Sequence, residues 1–137
     1  YLYGIDGSRR NNTQIACLDW KTGKTVWTHQ PEWPDDVAGK GSRSQGRGAG
    51  RQTFTPGLGS MIWADGAFLI LGEYGHLVWA DLSPKGYREL DRTRLFAADE
   101  TWTNPVISHG LLYVVQNKPD RGTQERPRLL CYDLRGE

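Results

Sequence analysis

Gly59-Ser60-Met61-Ile62-Trp63-Ala64-Asp65-Gly66-Ala67-Phe68-Leu69-Ile70-Leu71-Gly72-Glu73-Tyr74-Gly75-His76-Leu77-Val78-Trp79-Ala80-Asp81-Leu82 reads as three short apolar strands joined by two tight turns. Asp65-Gly66 is a hairpin dipeptide, because glycine accepts the positive φ that a two-residue turn demands, and Tyr74-Gly75 marks the next reversal in the same way. The stretch is a β-meander.

Its parts recur. Asn104 to Asn117, a loop, and Arg128 to Leu134 form a second copy; Tyr1 to Gly7, a loop, and Ile15 to Trp27 form a third that begins mid-unit. Aligned on the aspartate that closes the third strand, the copies are marked by Asp19, Asp81 and Asp133, spaced 62 and 52 residues apart. Without the insertion that follows Trp27, the longer spacing approaches the period of a four-stranded propeller blade. The expected fold is therefore all-β: an incomplete β-propeller sector of about three four-stranded antiparallel meander blades. The units are about 1–30, 59–96 and 103–137, with an inserted loop at 31–58. The copies supply three, four and three strands. Tyr1 falls directly after an expected hairpin glycine and Glu137 halts where a fourth strand is due. The reading expects the remaining blades of a longer parent chain, or self-association, to close the ring.

Composition agrees with a turn-rich β protein: 137 residues carry 17 glycines, seven prolines and a net charge of +1. That balance creates no field strong enough to argue for nucleic acid or an anionic membrane. The longest apolar run, Ala67 to Leu71, is strand-sized and far short of a membrane span. Cys17 and Cys131 each stand two residues before a repeat aspartate, where the middle unit has Trp79. Equivalent positions two blades apart exceed the reach of a disulfide, so two free, buried thiols are expected.

The most specific motif is Ala16-Cys17-Leu18-Asp19-Trp20-Lys21-Thr22-Gly23-Lys24-Thr25-Val26-Trp27. Its pattern Ala-x-x-Asp-x-x-Thr-Gly-Lys-x-x-Trp resembles the pyrroloquinoline quinone (PQQ) repeat, the tryptophan-docking repeat of the quinoprotein alcohol dehydrogenase-like propellers. Asp19 suits a turn whose amides it accepts, Thr22 and Gly23 supply the reversal, and Trp27 offers a flat face for a neighbouring blade. The other units depart from the pattern: Asp81 is followed by Leu82-Ser83-Pro84-Lys85-Gly86, and Asp133 by Leu134-Arg135-Gly136-Glu137 with no tryptophan after it. Such tryptophans staple blades whether or not a cofactor is bound, so the motif speaks to architecture rather than chemistry.

Residues 31–58 interrupt the strand pattern with prolines and glycines, and Lys40, Arg43, Arg47 and Arg51 place four positive charges there without an intervening acid. A Gly/Arg stretch of this kind can contact RNA or another polyanion. Without interleaved aromatics it reads first as a surface loop. Lys118 to Pro127 is a charged excursion in a hairpin, where binding residues tend to sit.

No catalytic set emerges. His29, His76 and His109 fall in different repeat phases and make no metal-ligand spacing with cysteine or carboxylate. Glu73, Asp99 and Glu100 read as solvated acids at turns. In quinone-dependent dehydrogenases of this fold the cofactor sits with calcium on the propeller axis beside a catalytic aspartate, with a tryptophan stacked on its ring. Trp63, Trp79 and Trp102 are available aromatics, but none matches that site residue by residue. What the resemblance implies is a binding or scaffold module without catalysis or cofactor of its own, for a protein or polysaccharide partner, in a periplasmic or extracellular bacterial setting. The alternative is a segment of a PQQ- and calcium-dependent dehydrogenase oxidising alcohols or sugars; a second alternative is polyanion binding through residues 40–51.

Overall fold

The computed structural model describes residues 1–7, 12–34 and 53–136. Twelve strands and no helix are found among them: β1 (Leu2–Asp6), β2 (Gln14–Leu18), β3 (Thr25–His29), β4 (Trp33–Pro34), β5 (Thr53–Phe54), β6 (Ser60–Ala64), β7 (Ala67–Leu71), β8 (His76–Ser83), β9 (Gly86–Arg94), β10 (Val106–Ser108), β11 (Leu111–Gln116) and β12 (Arg128–Asp133). They pair antiparallel into a first sheet β1-β2-β3, a second β6-β7-β8-β9, a third β10-β11-β12, and a two-stranded ribbon β4-β5. The fold is all-β, and its three sheets hold the three, four and three strands expected.

The sheets share one phase. Leu18, Ala80 and Tyr132, each just before a repeat aspartate, pair with Leu2, Phe68 and Leu112. A β-bulge falls between Cys17 and Leu18 in the first sheet and at the equivalent Trp79/Ala80 in the second. Asp81 does not close its strand, however. The hairpin that follows it keeps pairing to Ser83 and Gly86, so Asp81 lies inside β8, whereas Asp19 follows β2 and Asp133 ends β12.

Alternation along the second sheet decides how the layers stack. Ile70, Val78, Ala80 and Leu82 form one buried cluster with Ile15 of the first sheet and Trp33, and Tyr3, Ile5, Trp27 and Phe68 pack against it. Leu69, Leu71 and Leu77 form another with Leu112 and Val114 of the third sheet, and Trp79, Leu130 and Tyr132 pack against that one. The second sheet is thus covered on both faces, which is why β7 is a nearly unbroken apolar run.

Two expectations need correction. Cys17 is buried, but Cys131 is exposed, because the face of β12 that bears it has no sheet over it among the described residues. The span 31–58 is also more than a surface loop. Its ends pair as β4 and β5, and Trp33 is fully buried between the ribbon and the second sheet, with its ring 5.6 Å from that of His76. Lys40, Arg43, Arg47 and Arg51 lie outside the described residues.

The hairpin loop between β11 and β12 is a joint. Asp120 Oδ1 accepts from the amides of Gly122 and Thr123 at 2.7 and 2.9 Å, and its Oδ2 accepts from Ala97 N–H at 2.9 Å. The Arg121 amide returns a bond to Ala97 O at 2.7 Å. Burial pushes the Asp120 carboxyl upward, but the amides of Ala97, Thr123 and Gly122 and the Thr123 hydroxyl outweigh it and hold the group below its ordinary value. A depressed folded-state value stabilises the fold above the unfolded value of about 3.9. That contribution is lost as pH falls through the folded value. Asp120→Asn turns an amide donor or a weaker acceptor toward Ala97, and a loss of about 1–3 kcal/mol is expected in denaturant melts at pH 7. The gap between variant and wild type should narrow as the pH is taken below 4; a gap independent of pH would mean that the carboxylate charge is not what holds the joint.

Candidate functional site

The turn after Asp19 is built as its residue types suggest. Asp19 Oδ1 accepts from the amides of Lys21 and Thr22 at 2.9 and 2.8 Å and from the Thr22 hydroxyl at 3.0 Å. Gly23 takes the left-handed conformation at φ 68°, donates to Asp19 O, and leaves Asp19 N–H bonded to Lys24 O, both at 2.8 Å. The Thr22 amide, then its hydroxyl and the Lys21 amide, hold the Asp19 carboxyl below its usual value. This turn aims β3 so that Trp27 reaches the second sheet. There its indole N–H donates to Ser83 O at 2.8 Å. His29 stacks on Tyr87 at 4.5 Å, and Tyr3 meets Phe68 edge-on at 5.3 Å. Burial, and then the neighbouring Glu89 carboxylate, push the Tyr87 phenol well above its ordinary value.

The same turn occurs a second time, unmarked by the repeat alignment. Asp120-Arg121-Gly122-Thr123-Gln124-Glu125 repeats the bonding: Gln124 N–H donates to Asp120 O at 2.8 Å, and Asp120 N–H to Glu125 O at 2.9 Å. Gln124 takes the place of Gly23 at φ 61°. The spacing Asp-x-x-Thr was the available signal. It sits before β12 rather than after the strand the alignment followed, so it reads as an ordinary charged loop.

Asp81 and Asp133 serve differently from Asp19. Asp81 pairs with Arg88 across the β8–β9 hairpin at 2.9 Å. Asp133 accepts from the Arg135 guanidinium and then from the Arg135 amide, which draw its carboxyl below the usual range. Glu73 is not solvated: it is buried, because the segment after β5 passes over its turn, and its Oε2 accepts from Leu58 N–H at 3.0 Å. Asp99 pairs with Arg121, and Glu100 with Lys118 at 3.0 Å. His76 lies buried between Trp33 and Phe54, and His109 sits in the β10–β11 turn at φ 52°. Trp63 and Trp102 are exposed. Among the described residues no three His, Cys, Asp or Glu side chains are grouped as a metal ion requires, and no helix is long and apolar enough to cross a membrane.

What the repeat does not duplicate is the indole latch. Trp27 pairs with Cys17 across β3 and β2, and the equivalent of Cys17, Trp79, pairs with Asp91 across β8 and β9. Asp91 therefore holds in the second sheet the place that Trp27 holds in the first. Where an indole would lie between the second and third sheets there is an open cleft of about 240 Å³, lined by Leu77, Trp79, Asp91, Leu112, Tyr132 and Asp133 among others. The lining combines apolar and aromatic side chains with the carboxylates of Asp91 and Asp133 and with Arg92. No family model, curated protein or solved structure matches the chain.

Trp27→Phe keeps the ring and removes the N–H. It is expected to cost about 1 kcal/mol in denaturant melts, the net value of one hydrogen bond, with the penalty on Ser83 O eased by solvent. Trp27→Ala also withdraws the ring from the joint, and its loss should exceed that of the phenylalanine variant by at least about 1 kcal/mol. Equal losses would assign the whole effect to the hydrogen bond.

Proposed function

We propose that this chain is a sector of a PQQ-like β-propeller that works as a binding or scaffold module, and that its binding surface is the cleft between β9 and β12. Supporting the propeller reading are the common register of the three sheets, the repeated bulge, and the indole bond from Trp27 to Ser83 across two sheets. The observation that carries the binding reading is Asp91 in the position of a docking tryptophan. The joint without an indole has a ring-sized gap with apolar walls.

The lining of the cleft supports a hydroxylated ring as its ligand. Trp79 and Tyr132 offer aromatic faces to the C–H face of a pyranose, and Asp91 and Asp133 accept hydrogen bonds from its hydroxyls. Pockets that enclose drug-sized ligands run to roughly 300–1,000 Å³, so this one takes a single ring of a longer polymer. The partner is accordingly a polysaccharide, met outside the cytoplasm.

Soluble hexasaccharides of glucose, xylose and N-acetylglucosamine, titrated by isothermal calorimetry, test this reading. Binding of at least one is expected, weakened about tenfold or more by Trp79→Ala, in line with the energy an aromatic anchor carries. Asp91→Trp should refill the gap, abolish binding and leave the melting temperature equal or higher. Absence of binding to all three sugars by the wild-type chain would remove the proposal. Chelator-sensitive dye reduction after adding PQQ and calcium would replace it with the dehydrogenase reading.

A further inference from the structure

We infer that a second copy of this chain packs head to tail on the first, the outer face of one copy's third sheet covering the outer face of the other's first sheet. This rests on sheet register and not on the sugar reading of the cleft. In the first sheet the pairs Tyr3↔Cys17 and Ile5↔Ile15 point toward the second sheet, and Tyr3, Ile5 and Ile15 join its core. The third sheet has Tyr113↔Cys131 and Val115↔Leu129 at the same register positions. Tyrosine stands for tyrosine, cysteine for cysteine and an aliphatic for each isoleucine. Yet here the set meets no sheet among the described residues: Leu129 is 65% exposed and Cys131 is exposed.

The surface that receives this set is also repeated. Phe68, Ile70, Val78 and Ala80 receive it on the second sheet, and Leu112, Val114, Leu130 and Tyr132 hold the same positions on the third and pack against the second. On the first sheet those positions are Leu2, Gly4, Ala16 and Leu18, on the face turned away from the second sheet. Among the described residues a Cβ placed on Gly4 would meet no atom within 4 Å, and the small Ala16 beside it is only 7% exposed, so the two form a low floor between Leu2 and Leu18. Leu2 is 48% exposed. The first-on-second and second-on-third contacts are one relation applied twice, and third-on-first continues it between copies. A net charge of +1 puts little repulsion in the way. Such a heterologous contact makes a ring if its rotation closes and an open filament if it does not.

Leu129→Arg spoils the donating face and Gly4→Arg the receiving one; both positions have room for the new side chain. Sedimentation velocity should show concentration-dependent association of the wild-type chain, weakened about tenfold or more in each variant alone, the effect of losing a central contact. An equimolar mixture of the two variants should form a 1:1 pair, since each keeps one intact face. A readout free of substitution is the wild-type Cys131, whose reaction with an aromatic disulfide reagent should slow as protein concentration rises while Cys17 stays unreactive. A wild-type chain that is monomeric throughout, with a constant Cys131 rate, overturns the inference. So does association that survives in both single variants, or a mixture that does not pair.

Discussion

The constraint on which this structure depends is that its central sheet is apolar on both faces. Ile70 and Leu71 are consecutive and both buried, and so are Leu77 and Val78. Successive side chains of a strand point to opposite faces, so no one-sided partner can satisfy β7 and β8. Leaving either face in water would forfeit about 25 cal/mol for each Å² of apolar surface. Two further sheets are therefore required, one to each side, and the first and third sheets supply them with the same register.

Face-to-face packing is nondirectional and does not by itself hold two sheets at a chosen angle. Each interface accordingly carries a directional bond as well. Between the first and second sheets it is the Trp27 indole on Ser83 O. Between the second and third it is the Asp120 carboxylate on Ala97 N–H, with the Arg121 amide on Ala97 O. The two devices start from the same local turn, an aspartate collecting the amides two and three residues on. In one the turn aims the following strand and its tryptophan; in the other the aspartate's second oxygen makes the contact itself. A carboxylate with both oxygens occupied can be buried, as Asp120 is, whereas Asp19 leaves its second oxygen to solvent.

Much of this was legible in the sequence because hairpin glycines and strand alternation are local signals. Asp65-Gly66, Gly75 and His109-Gly110 mark reversals where the backbone does take positive φ, and the three-four-three division of strands can be read directly from them. What escaped depends on contacts distant in sequence. Trp33 stands between two prolines and looks like loop, but β5, some twenty residues on, pairs with it and closes the ribbon over His76. Glu73 looks like a solvated turn acid until the segment after β5 lays Leu58 N–H on it. Cys131 fails in the opposite sense: its local pattern matches Cys17, but burial belongs to whatever lies opposite, and nothing among the described residues does.

The cleft between β9 and β12 lies at the joint where the likeness of the sheets is incomplete. The strand needs no indole at this position, since β9 keeps its pairing with β8 through Asp91. The joint has a fastening of another kind in the Asp120 carboxylate on Ala97 N–H. The walls of the cleft are fixed without an indole, because Trp79, Leu77 and Leu112 are also held by the core behind them. The two joints of the second sheet are therefore fastened differently, by the Trp27 indole on one side and the Asp120 carboxylate on the other, and Asp91 stands at the joint that has no indole bond.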